Sequence, residues 1–450
     1  MSDIVLVVGE HRYPAHRVIL CASSEVFHVM LLNPEWNECR KNVIELKEEP
    51  YVTEVFPQFL KYLYIGQINI SLQTAMPVLA LADKYDIKDL VQLCVEYMLK
   101  HVAKAAHQGY LVSWLQYTIS FAAYHETVTD ALKTFLKWNL KLVSEAKDFS
   151  DLDVSIMALL LQQNDLIVKS EYDLFQILEK WLLFKKEQIE CDCNLSDEDK
   201  TESYQMLIEM TIKHIRFAMM TPCELAHMLL SPIVEGHKLF LVPRMAIGMS
   251  YHGGQKEKIY DIIKSEPLQF TPRLYTCDNH STIINLKDFD QFPEYSNYVS
   301  CFFSHKSLAE HEDDKTVMWE AEFFPRGIKY NKAKIIWGGD VPETVLKTVR
   351  LKVTCRNELH NERFKISVLI TGVQNQIEHV MSIRERTEYF SDCSSGINID
   401  NLIPYDELAL SSIKLSQFLV GSKRNDILLQ VVITPMGQYT SRSSPLLEFK

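Results

Sequence analysis

Few residues in this chain have the types and spacing that chemistry needs. Cys191-Asp192-Cys193 is the one close cysteine pair, and no second Cys or His pair stands at zinc-like spacing, so no metal site is predicted. The sequence holds no P-loop and no G-x-G-x-x-G, H-E-x-x-H or G-x-S-x-G motif. His101, His214 and His360 stand alone and read as ordinary surface or core residues. Glu48-Glu49 and Asp313-Asp314 lie in polar stretches where solvation accounts for them. No enzyme activity and no cofactor are predicted. What remains is recognition chemistry. Trp36-Asn37-Glu38 sets a large apolar anchor two residues before a carboxylate, a pair that could fill a partner's groove and fix its orientation. The competing reading is that Trp36 covers its own domain's core. Tyr62 and Tyr64 on a following helix could widen that surface or belong to the core. Lys329, Lys332, Lys334, Lys347, Arg350, Lys352 and Arg356 could make a basic strip for an acidic or phosphorylated peptide, or an ordinary solvated strand face.

Composition sets the frame for these groups. At 450 residues the chain is long for one core, and 47% hydrophobic with 24% charged residues is the make-up of globular domains. The net charge of -12 argues against a nucleic-acid partner. No apolar run reaches the roughly 18 residues that span a bilayer, so no membrane association is predicted. Ile4 to Val8 reads as a strand rather than a signal peptide, and the expected location is the cytoplasm or nucleus. The sequons at Asn69, Asn194 and Asn279 keep a second reading open: an oligomeric, non-catalytic scaffold, secreted or vesicular, with disulfides among Cys191, Cys193 and Cys277.

Three periodicities divide the chain. Residues 1–102 mix strand and helix: Ile4–Val8, a turn at Gly9-Glu10, an extended segment to Arg17, then two short helices with Ser23 or Ser24 capping the second. Leu90, Leu93, Cys94, Tyr97 and Met98 form a one-face helical stripe. Residues 103–231 read as helical throughout. Ser170 with Asp173, and Thr221-Pro222-Cys223-Glu224, mark helix starts, and the acidic stretch from Glu187 to Glu202 reads as a solvated loop. Residues 232–270 read as a linker with a short helix. From 271 to 450 the period is two, with Val317/Trp319/Ala321/Phe323, Val349/Leu351/Val353/Cys355, Phe364/Ile366/Val368/Ile370 and Ile427/Leu429/Val431/Ile433 as inward faces of a β-sandwich. With few apolar residues left for the outer faces, the sandwich is predicted to fold independently.

These segments carry family resemblances. Asp3, His16-Arg17, Trp36-Asn37-Glu38, Val43–Leu46, Phe59–Gly66 and Leu79–Tyr85 occur in the order of a BTB/POZ domain. Phe135–Asn139 and Asp165–Glu171 with Leu174, Phe175 and Trp181 resemble a BACK domain. Trp319–Gly327 and Asp426–Leu429 are similar to strands of TRAF/MATH-like sandwiches. The resemblance implies a multidomain chain: an α/β BTB/POZ domain, an all-α BACK domain and a C-terminal all-β sandwich. It further implies a substrate-recruiting adaptor of a cullin-three RING ubiquitin ligase. Trp36 and Glu38 would occupy the Φ-x-E motif that grips the cullin, with Tyr62 and Tyr64 beside it. Asp3 and Arg17 would be the charged pair at the base of a homodimer groove, a structural salt bridge as the first reading and a partner pocket as the second, and Lys334, Arg350, Lys352 and Arg356 would face an unknown protein substrate. The homodimer is expected to be weak, because the chain starts almost on its first strand.

Overall fold

A computed structural model describes residues 2–276, 281–305, 316–329, 346–357, 362–391, 396–408 and 416–436. Cys277, Asn279, Asp313-Asp314, Lys332, Lys334 and His360 lie outside the described residues. The chain forms two compact units, Met1–Phe135 with Ala146–Asp151, and Leu136–Glu145 with Leu152–Lys450.

In the first unit β1 (Ile4–Val8) is the middle of three strands, antiparallel to β2 (His11–Ala15) and parallel to β3 (Val43–Leu46). Gly9, at φ +59°, supplies the left-handed residue of the two-residue turn. Ile4, Leu6 and Val8 are buried, as their alternation requires. Helix α1 (Arg17–Ser23) meets α2 (Glu25–Leu32) at Ser24, which settles the choice of cap. Ser24 Oγ accepts the Phe27 amide at 3.1 Å and donates to the Tyr85 carbonyl at 2.6 Å. After α3 (Pro50–Thr53), helix α4 (Phe56–Ile65) buries Phe56, Phe59, Tyr62 and Leu63 and ends on left-handed Gly66. Helix α5 (Ala75–Lys84) precedes α6 (Lys88–Gln108), which buries Leu90, Cys94 and Met98. Leu93, expected in that stripe, is exposed. Helices α7 (Leu111–Ser120) and α8 (Ala122–Trp138) come next.

The second unit begins with helices. Helix α9 (Leu140–Ser144) and α10 (Val154–Gln162) precede the short β4 (Ile167–Val168). Helix α11 (Glu171–Cys191) is capped by Ser170, whose side chain accepts from the Asp173 amide. The acidic stretch after it is mostly helix, not loop. Asp197, Glu198 and Asp199 fill the first turn of α12 (Asp197–Ile212), where carboxylates meet the positive end of the helix dipole. Helix α13 (Pro222–Met228) opens on a complete Thr221–Glu224 capping box. The expected linker is also helical: α14 (Pro232–Gly236), α15 (Lys238–His252) and α16 (Tyr260–Ser265). Leu241 and Met245 are buried, and Gly248 lies so close to Phe217 that an added Cβ would come within 2.6 Å of its carbonyl oxygen. An apolar face of its own makes α15 part of the packed unit.

Beyond β5 (Tyr275–Thr276) come β6 (Ser281–Leu286), β7 (Tyr298–His305), β8 (Thr316–Phe324), β9 (Arg350–Cys355), β10 (Glu362–Gln374), β11 (Ile377–Phe390), β12 (Gly396–Ile399) and β13 (Ile427–Pro435). They make two antiparallel sheets, β11-β10-β13-β6 and β12-β9-β8-β7. The sixteen inward positions read from the alternation are all buried in the shared core. Trp319 is fully buried there, its Nε1 donating to Ser304 Oγ at 2.8 Å and its ring edge-on to Phe364 and Phe390 at 5.1 Å.

The sandwich does not stand apart. Strand β5 pairs in parallel with β4 of the helical segment. Leu369 and Val432, on the outer face of β10 and β13, are buried with Tyr275 against Ile167, Leu274, Val380 and Ile383. Asn139 lies against the edge of β11, its Oδ1 accepting the Val380 amide at 2.8 Å and its Nδ2 donating to the Val380 carbonyl at 3.2 Å. A side-chain amide there takes the place of a neighbouring strand. Below this seam Arg273, fully buried, pairs through Nε with Glu171 at 2.5 Å and donates to the carbonyls of Gln163 and His214. Glu171 also accepts the Arg216 amide at 3.2 Å, and the Arg216 guanidinium reaches the Thr271 carbonyl and Asn164. Burial, reinforced by Arg273, pushes the Arg216 guanidinium down to about 9. The outer face of the sandwich is therefore partly covered by the helical segment, where the sequence led one to expect few apolar outer positions.

Candidate partner-binding site

The turn after α2 carries the exposed recognition pair. Its launch is rigid because α2 is held from below: Phe27 stacks on Tyr85 at 4.5 Å, and Tyr85 donates to Glu48 at 2.6 Å. Burial first, and the Glu48 hydrogen bond second, raise the Tyr85 hydroxyl above its ordinary range, so it stays a donor. Asn33 then turns the chain, its side chain accepting the Glu35 amide at 3.0 Å and its carbonyl accepting the Trp36 amide at 3.1 Å. Beyond it lies a 3₁₀ helix at Asn37–Arg40, with the Cys39 amide donating to the Trp36 carbonyl and the Lys41 amide to the Glu38 carbonyl, each at 3.2 Å.

On this turn Trp36 is 49% exposed, so it is not the cover of its own core. Glu38 faces Lys41 at 3.7 Å, a solvated pair that leaves the carboxylate open to a stronger donor. Leu32, one turn earlier, is also exposed, an apolar neighbour that α2's own periodicity did not single out. Tyr62 does not join them. At the spacing Phe59, Tyr62, Leu63 it falls on the buried face of α4 and is 9% exposed. Tyr64 is exposed, but its hydroxyl is engaged, accepting the His16 amide at 2.9 Å and lying 3.0 Å from His16 Nδ1.

Asp3 and Arg17 do not form the expected salt bridge. Asp3 Oδ1 accepts the Arg17 backbone amide at 2.9 Å, because the first turn of α1 leaves that donor free. The Arg17 guanidinium instead donates to the Leu31 carbonyl at 3.3 Å and to the Lys41 carbonyl.

The basic residues of β9 are placed differently from a cationic strip. Lys352 stands opposite Glu322 in the β8–β9 register and pairs with it at 2.5 Å. Arg356 pairs with Glu320, and Arg350 takes Asp400 with two nitrogens, the Nη2 contact at 3.0 Å. The outer face here is a ladder of matched charges. Among the described residues no group of three His, Cys, Asp or Glu could hold a metal, and no helix is long and apolar enough to cross a membrane. Cys191 and Cys193 are exposed free thiols.

Comparison with known proteins agrees with this three-part organisation. The BTB/POZ domain family model matches residues 1–102, the BTB And C-terminal Kelch (BACK) model 114–195, and the BTBD17 TRAF domain model 270–437. The chain carries a BTB domain, then a BACK domain, then a C-terminal TRAF domain, and BTB and BACK domains are generally protein-interaction modules. It is 26% identical over 437 residues to BTB/POZ domain-containing protein 17 of Xenopus laevis, covering 94% of this chain and 83% of that one. The protein of the same name from Homo sapiens is 26% identical over 337 residues, covering 72% and 63%. Kelch-like protein 7 of Homo sapiens is 27% identical over 185 residues, 41% of this chain and 30% of its own. Among solved structures, the BTB domain of zebrafish PATZ1 is 26% identical, covering 22% of this chain and 75% of that chain at a TM-score of 0.19.

Proposed function

We propose that this chain is a substrate-recruiting adaptor of a cullin-three RING ubiquitin ligase, acting in the cytoplasm as a BTB-mediated homodimer. The first unit holds the cullin and the TRAF sandwich reads the substrate, while ubiquitin transfer belongs to the E2 that the ligase carries. The observation that supports this most is Trp36, half exposed on a braced turn with Glu38 two residues on. The similarity to Kelch-like protein 7 over 185 residues fits the same reading. Tyr62 has no part in the contact, and the matched charges of β8 and β9 give no surplus for an acidic peptide.

Trp36→Ala in the full chain should weaken binding to the cullin-three N-terminal region by at least about 30-fold, the loss of an anchor worth about 2 kcal/mol. Calorimetry of both proteins, with circular dichroism to show that the variant is folded, measures it. A folded Trp36→Ala chain that binds like the parent removes the motif assignment.

A further inference from the structure

We infer that Arg17 is a positioning residue: its guanidinium bridges the two ends of the recognition turn and sets how Trp36 and Glu38 are presented. For its consequence in cullin binding the inference rests on the function proposed above; for the bridge itself it does not.

The bridge arises from which backbone groups lack partners. At the end of α2 the Leu31 carbonyl would ordinarily accept from the amide four residues on. That amide, Glu35, is taken by the Asn33 side chain, which starts the turn. The Leu31 oxygen is left to Arg17 at 3.3 Å. At the far end, Lys41 has left the 3₁₀ helix, and the β1–β3 ladder begins only at Val43. Its carbonyl is likewise taken by Arg17. Two orphan acceptors, ten residues apart and flanking Trp36 and Glu38, thus converge on one side chain. Arginine suits the task because its nitrogens form a rigid planar fork, whereas a lysine ammonium on a flexible stem reaches one acceptor well and the second poorly. A cation there also meets the negative end of α2. Arg17 is itself held, since its amide is bound by Asp3. Without the fork the turn keeps its internal 3₁₀ hydrogen bonds but loses the tie between its ends, and Trp36 samples more orientations before it meets a partner.

The test uses the full chain with Arg17→Lys, which keeps the charge, and Arg17→Met, which keeps only the stem. Amide hydrogen exchange is followed over residues 33–42 and compared with β1 and α4. The turn should exchange about tenfold faster in Arg17→Met, the scale expected when two hydrogen bonds that restrain local opening are lost, and by a smaller factor in Arg17→Lys, which keeps one of them, while β1 and α4 stay as in the parent. Affinity for the cullin-three N-terminal region should fall in the same order. Exchange over 33–42 that is unchanged in both variants, or that rises equally across β1 and α4, overturns the inference. The exchange measurement needs no cullin, so it decides the role of Arg17 even if the parent chain fails to bind, a failure that would refute only the proposed function.

Discussion

Replacing Arg273 or Glu171 tests whether the helical segment and the sandwich are a single folding unit. Both side chains are buried, Arg273 fully, and each answers to more than the other. Arg273→Ala leaves Glu171 without its ion pair and two carbonyls without donors, a loss of about 3–5 kcal/mol for breaking a buried pair. Glu171→Ala should cost more. It leaves two guanidiniums, Arg273 and Arg216, in one dry site without the carboxylate beside them, and burial already disfavours the charge on Arg216. Against a domain stability of about 5–15 kcal/mol, either change is large. Urea denaturation followed by far-ultraviolet circular dichroism for the helices and by pulsed hydrogen exchange of β10 and β13 for the sandwich is the assay. Both signals should move together to lower urea, with Glu171→Ala the lower of the two. The reasoning is refuted if Arg273→Ala shifts stability by less than about 1 kcal/mol, if the order is reversed, or if the sandwich signal stays put while the helical signal moves.

Three further outcomes are expected. Asn139→Ala should cost about 2 kcal/mol for two hydrogen bonds to the edge of β11, and Asn139→Asp more, because its second oxygen would face the Val380 carbonyl; thermal melts rank them. Burial, with Lys213 and Arg273 adding to it, holds His214 down at about 4, so the folded chain binds its proton later than the unfolded chain does. Stability should therefore fall as pH drops from about 6.5 to about 4, by roughly 1–2 kcal/mol after allowing for its partial exposure, and His214→Gln should remove that slope in melts at pH 7 and pH 5. Gly248→Ala should destabilise by about 1–3 kcal/mol despite alanine's better helix propensity, since the added methyl would press on the Phe217 carbonyl; a gain in melting temperature would contradict the packing described.

The parts that were legible in the sequence were those set by local pattern. Alternation at Val317–Phe323 and Ile427–Ile433 located the sandwich core because a strand's inward side is a period of two. Ser170, Thr221 and the Trp36 turn are likewise local chemistry. What escaped depends on register and distance. Glu320 and Glu322 neutralise β9 only because Glu322 falls opposite Lys352, a pairing fixed by how two strands thirty residues apart align. Tyr62 and Tyr64 are two apart on a helix, so one faces in and the other out, and the apolar run around them hid which. Asp3 and Arg17 looked like partners because side-chain charges are visible in a sequence and unpaired backbone groups are not. The reading of 232–270 as a linker missed the apolar face of α15, where Leu241, Met245 and Gly248 recur three and four residues apart.

The buried pair at Glu171 also has a history in time. Arg273 lies 102 residues beyond it. A ribosome adding about 5–20 residues per second delivers the arginine several seconds after α11 can form. Through that interval the carboxylate lacks its buried ion pair, so the first turn of α11 is the part of the helical segment that stays hydrated. That turn can settle only once the residues leading into β5 emerge. A truncation or stall between 171 and 273 would strand a nascent chain with that wet, half-formed seam open, the kind of surface that quality-control factors engage.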